Sequence, residues 1–188
     1  MIIRNLSKSY DQHPVLENLN LTLPEGGIYA LMGPSGSGKT TLLHILLGLV
    51  KPDSGFLEGL EGKRFSAVFQ ENRLCGFLTA AENLAIVSPS GGSAADYRSV
   101  LAEILPTESL NQKTDTYSGG MKRRTAIARA MVVPSDILIM DEPFTGLDEE
   151  TKEQVVSFIL RYRKGRTLIF STHDPEDVPA FQARKILL

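Results

Sequence analysis

Apolar positions change period twice along this chain. Up to about residue 70 they fall in short, turn-punctuated runs. "MIIRNLSKSY" from residue 1, "VLENLNLTLPEGG" from 15 and "GIYALMG" from 27 read as strands, the last with the unbroken apolar run of a strand covered on both faces. "KTTLLHILLGLV" at 39–50 has helical spacing, ended by Pro52, Ser54 and Gly55. Two further short strands, "GFLEGLEG" and "RFSAVFQ", follow.

From about 72 to 134 the period becomes helical. "TAAENLAIV", "SAADYRSVLAEIL" and "GGMKRRTAIARAMVV" are separated by Pro89, Gly91, Gly92 and Pro106 and predict an all-helical insert. The last third alternates again: strand "DILIMD", helix "DEETKEQVVSFILRYRK", strand "RTLIFST", a short helical piece from Pro175 and a terminal strand "ARKILL". Alternation of this kind predicts parallel strands with helices on their faces, an α/β fold.

Composition narrows the picture only slightly. A chain of 188 residues, 42% apolar and 22% charged with net charge −2, fits one soluble domain and gives no basic surface for nucleic acid or an anionic membrane. A single cysteine, Cys75, excludes an internal disulfide and suits a reducing compartment. The longest apolar run, "LLHILLGLV", is far short of the ~20 residues of a membrane helix, and the polar start is unlike a signal peptide.

The chemistry begins at "GPSGSGKTT", Gly33 to Thr41, which satisfies G-x-x-x-x-G-K-[ST] between a buried-strand pattern and a helix. The loop of Gly33, Pro34, Ser35, Gly36, Ser37 and Gly38 would wrap phosphate oxygens, with backbone N–H groups from every residue except the proline, which has none. Lys39 reaches the β- and γ-phosphates, Thr40 can ligate Mg²⁺, and Thr41 continues the cradle. "DILIMDEP" sets Asp141 and Glu142 at the end of a core strand, where ligands of open α/β sheets gather. Asp141 is the candidate metal carboxylate and Glu142 the candidate base for an attacking water. A second anion-binding turn, Ser118-Gly119-Gly120 in "YSGGMKRR", opens another helix about eighty residues on.

That turn, just upstream of "DILIMDEP", resembles the signature loop of ATP-binding cassette (ABC) ATPases, which usually reads Leu-Ser-Gly-Gly-Gln; here Tyr117 and Met121 stand at the outer positions. Four other features resemble the family in order. They are Tyr10 as the adenine-stacking aromatic, Gln70 ending "FSAVFQ" as the Q-loop glutamine and metal neighbour, Asp148 in "GLD" as the D-loop acid, and His173 after "LIFST" as the switch histidine. The resemblance implies a single domain over 1–188. Its phosphate-loop NTPase core, with a parallel sheet and an N-terminal antiparallel β subdomain, would take 1–71 and 135–188, and an α-helical subdomain 72–134. It also implies ATP and Mg²⁺ as ligands, and a head-to-tail dimer with a second copy or close homologue in which each ATP lies between one chain's phosphate loop and the other's Ser-Gly-Gly turn.

A guanine-specific GTPase is disfavoured because no Asn-Lys-x-Asp motif occurs. An ABC-type ATPase of DNA repair or chromosome maintenance is the alternative, but it needs coiled coils, zinc cysteines or basic tracts. The favoured reading is a transporter ATPase of the importer type. The stretch "VFQENRLCGFLTAAENLAI" resembles importer ATPases of the nitrate, sulfonate and taurine type, in which this region receives a permease helix. Leu74, Phe77 and Leu78, within 70–86, are the expected contacts. Such a protein would be cytoplasmic and held at the inner face of the cell membrane by its permease, with no nucleic acid partner.

Overall fold

The computed structural model describes residues 1–88 and 93–188. In chain order its elements are β1 (Ile2–Tyr10), β2 (His13–Thr22), β3 (Ile28–Met32), α1 (Lys39–Leu46), β4 (Ser54–Glu58), β5 (Phe65–Val68), α2 (Ala80–Ala85) and α3 (Ala94–Ala102). The series continues with α4 (Gly119–Val132), β6 (Ile137–Met140), α5 (Glu149–Arg163), β7 (Thr167–Ser171), α6 (Asp177–Ala180) and β8 (Arg184–Leu187). The expected break at Pro89, Gly91 and Gly92 lies outside the described residues. By its contacts the chain divides into two units: Met1–Phe65, Ser135–Glu142 and Gly165–Leu188 form one, and Ser66–Pro134 with Pro143–Lys164 the other.

The first unit contains an antiparallel sheet and a parallel one. In the antiparallel sheet β1 lies between β2 and β4. Asp11 and Gln12, both at positive φ, close a two-residue hairpin that the sequence pattern left unassigned, and β2 begins earlier than expected, at His13. Pro14 is tolerated there because β2 is an edge strand and needs no donor on its open side.

In the parallel sheet β7 lies between β6 and β3, and β8 flanks β3 on the other side. Every residue of β6 and β7 is buried, which is why all of β6 and residues 168–170 of β7 are continuously apolar rather than alternating. Leu42, Leu43, Ile45 and Leu46 of α1 join Leu31, Ile139 and Ile169 in the core of this unit. Each such side chain contributes roughly 1.5–3 kcal/mol. Helix α1 ends before Gly48 instead of running to Val50, because Gly48 at φ +71 stops the helix in a conformation costly for other residues.

The second unit is helical apart from the start of its chain, with contacts between α2 and α3, α2 and α4, α3 and α4, and α4 and α5. Helix α2 starts at a reciprocal Thr79–Glu82 capping box. Helix α5 is capped by Asp148 at its start and by Lys164 at its end, the latter left-handed and followed by Gly165. Among the described residues no helix is long and apolar enough to cross a membrane.

Candidate functional site

In the first unit the glycine-rich loop joins β3 to α1. Gly38 caps the helix at φ +92, and a Cβ there would meet Leu16 Cδ2 at 2.7 Å and the Val15 carbonyl at 2.9 Å. Only glycine fits. No side chain caps α1 and no acidic residue occupies its first turn, so its leading N–H groups face an anion without competition. The buried Ser37 hydroxyl has no hydrogen-bond partner. Such an orphan is costly unless a ligand supplies an acceptor or donor, which phosphate does. The buried Lys39 ammonium donates to the carbonyls of Gly33 at 2.8 Å and Pro34 at 3.0 Å, so the loop is folded around its own cation.

Around this loop the parallel sheet delivers three strand ends. Thr40 Oγ1 donates to Asp141 Oδ2 at 2.8 Å. Register places Leu31 of β3 beside Ser171 of β7, and Met140 of β6 beside Phe170, so Asp141 emerges next to Ser171. The buried Ser171 hydroxyl donates to Asp141 Oδ1 at 2.5 Å and accepts from the Glu142 N–H at 2.8 Å. Glu142 itself sits at φ +46. Its Oε1 lies 2.5 Å from His173 Nε2, with the imidazole half exposed. Just beyond, Thr172 accepts from the Asp174 N–H and donates to the buried Asp177 carboxylate, fixing the turn that presents His173.

Sequence motifs located Lys39, Thr40, Asp141, Glu142 and His173, and the structure gathers them here. They did not locate Ser171. A serine in an apolar strand carries no motif; only the strand register, which the pattern leaves open, brings it to the acidic pair. Tyr10, in the same unit, ends β1 exposed, with the Lys8 ammonium 5.4 Å from its ring centroid.

The other expected residues lie in the second unit. Ser118 caps α4, its Oγ accepting from the Met121 N–H at 3.3 Å, and a Cβ on Gly119 would meet nothing within 4 Å. The turn is open, with the leading amides of α4 pointing along the helix axis. Asp148 accepts from the Thr151 N–H at 2.8 Å as the cap of α5, which holds its carboxyl below the usual range. The carbonyls of Phe69 and Gln70 accept from the buried Arg123 guanidinium at 2.7 and 2.5 Å. Tyr117 is a core residue whose hydroxyl donates to the Ser109 carbonyl at 2.9 Å, and burial raises its pKa. Phe77 is 70% exposed, whereas Leu74 and Leu78 are half-buried.

A glycine-rich loop between a parallel strand and a helix, with an acidic pair at the end of β6, one strand removed in the same sheet, defines a phosphate-loop NTPase fold. The chain belongs to the ABC transporter family, which it matches over residues 16–145. It is 35% identical to a probable sulfate/thiosulfate import ATP-binding protein CysA of Chlorella vulgaris, over 100% of this chain and 86% of that protein. It is 33% identical to CysA 2 of Rhizobium meliloti (strain 1021), over 99% of this chain and 56% of the relative, so it spans little more than half of that protein. Among solved structures it resembles the dimeric MJ0796, a bacterial ABC transporter cassette, with a TM-score of 0.85, 29% identity and coverage of 100% and 93% of the two chains. A post-hydrolysis dimer of the same cassette bound to ADP and Pi superposes with a TM-score of 0.81 at 30% identity, covering 100% and 93%.

Proposed function

We propose that this chain is the ATP-hydrolysing subunit of a membrane importer, working as a dimer driven together by ATP and held at the membrane by permease subunits. The observation that carries the hydrolytic part is the cluster at the strand ends: Thr40 on Asp141 at 2.8 Å and His173 on Glu142 at 2.5 Å, beside the Lys39 loop. Similarity to import ATP-binding proteins supports the transport part, with sulfate or thiosulfate as the first cargo to test. The repair-type alternative draws no support from these relatives. The domain reading, one ATPase domain with a helical subdomain at 72–134, belongs to this proposal.

The loop amides and Lys39 hold the β- and γ-phosphates. Glu142, kept in place by His173, takes a proton from water as the water oxygen bonds to Pγ and the bond to the β-phosphate oxygen breaks, releasing ADP. Mg²⁺ would neutralise charge on the phosphates, and Thr40 and Asp141 suit it: a hydroxyl and one carboxylate are hard oxygen donors, and this ion takes few protein ligands alongside phosphates. The Ser118-Gly119-Gly120 turn of a second chain would supply donors to the developing charge on the γ-phosphoryl oxygens.

The test is Glu142→Gln. Hydrolysis is expected to fall about 10²- to 10⁴-fold while ATP binding persists, the span of general-base catalysis. Light scattering should then find a dimer in Mg-ATP and a monomer without it. A variant that hydrolyses ATP at the parental rate removes Glu142 from its role.

A further inference from the structure

We infer that Ser171 is a positioning residue for hydrolysis, one that sets the backbone of Glu142 and the rotation of Asp141 together. This rests on the proposed roles of those two acids. An ionised carboxylate only accepts hydrogen bonds and a backbone N–H only donates, so the direction at Ser171 is determined: its one proton goes to Asp141 Oδ1 at 2.5 Å, and its lone pair receives the Glu142 N–H at 2.8 Å. Asp141 then has Oδ1 on Ser171 and Oδ2 on Thr40, which leaves its carboxylate plane no freedom to turn.

The second half of the device lies just past the strand. Ser171 closes β7, and His173 follows two residues on, in the turn that Thr172 holds. One receives the main chain of Glu142 and the other its carboxylate. Glu142 is thus gripped at both ends while its φ of +46 would otherwise favour relaxation out of the left-handed region. Ser171 is fully buried and cannot reach substrate, so its influence passes through the two acids.

Residue 171 must therefore donate and accept in opposite directions from one atom. Serine and threonine do so; cysteine does so weakly; alanine does neither. In the full-length protein, Ser171→Ala is expected to lower kcat about 10- to 100-fold, the order of losing one hydrogen bond to a charged group. The KM for ATP and the affinity for fluorescent ATP should stay within about twofold, because phosphate binding rests on the loop. Ser171→Thr should recover most of kcat. Ser171→Cys, which preserves volume, serves where the alanine variant folds poorly and should give a smaller loss of the same kind.

A double-mutant cycle separates positioning from general damage. In single turnovers, adding Ser171→Ala to Glu142→Gln should slow hydrolysis further by a smaller factor than Ser171→Ala slows the parent, since one of the two positioned groups is already gone. Parental kcat in Ser171→Ala, or losses that multiply in the double variant, would overturn the proposal even with Glu142→Gln inactive. Parental hydrolysis by Glu142→Gln itself would remove the base reading and this proposal with it, so the two failures are told apart.

Discussion

Thr40 and Asp141 are 101 positions apart in the chain, yet Oγ1 of the first donates to Oδ2 of the second at 2.8 Å. The bond joins the first turn of α1 to the end of β6. The fold itself sets hydroxyl and carboxylate together, and a site held in place by its fold spends little reorganisation at the moment of reaction.

Lys39→Ala is expected to weaken ATP binding about 10- to 100-fold, since a charge-assisted hydrogen bond to phosphate is lost. The same substitution also removes the ammonium that holds the carbonyls of Gly33 and Pro34. Titration with fluorescent ATP checks it. Unchanged affinity would mean that the loop is not the phosphate site.

Mixing two inactive variants tests the two-chain site. Lys39→Ala and Ser118→Arg should each be inactive alone, because every composite site carries one lesion. In the mixed dimer one site collects both lesions and the other has none, so roughly half the parental activity per mixed dimer should return if the sites fire independently. No recovery, together with a monomeric Glu142→Gln protein in saturating Mg-ATP, would exclude the shared site.

Tyr117→Phe removes the hydroxyl that donates to the buried Ser109 carbonyl at 2.9 Å. The expected loss is about 0.5–1.5 kcal/mol, read as a lower denaturation midpoint with unchanged turnover per folded molecule. A fall in turnover without a fall in stability would instead give Tyr117 a part in the chemistry of the adjoining turn.

Helix α2 should respond to acid through its cap. Glu82 accepts from the Thr79 N–H at 2.7 Å and from Thr79 Oγ1 at 2.9 Å, and these bonds hold its carboxyl below the ordinary 4.5. A lowered folded pKa stabilises fully above the unfolded value and is lost as pH falls through the folded one. The stability advantage of the parent over Glu82→Gln, measured by urea denaturation, should therefore be larger at pH 7 than at pH 4. An equal advantage at both would assign the effect to geometry rather than charge.

Much of this was legible in the chain. The phosphate loop, the acidic pair and His173 depend on local runs of a few residues, and the continuous apolar strands marked a parallel sheet before any pairing was known. What escaped depends on register or long-range packing. Ser171 acquires its role only when β7 is set beside β6. Pro14 reads as a strand breaker until β2 is known to lie at an edge. Tyr117, unusual at the first position of the signature loop, becomes intelligible once its ring is buried and its hydroxyl reaches Ser109.

The left-handed φ of +46 at Glu142 sets selection for activity against selection for robustness. A side-chain-bearing residue in that region costs about 1–3 kcal/mol, a cost glycine escapes. A library screened only for heat tolerance should accumulate Glu142→Gly, and with it inert molecules that outlast the working one. The same screen run in cells that depend on the protein should keep glutamate and look for compensation elsewhere. Comparing the two selected pools would measure how much durability this chain forgoes at one backbone angle in order to turn over ATP.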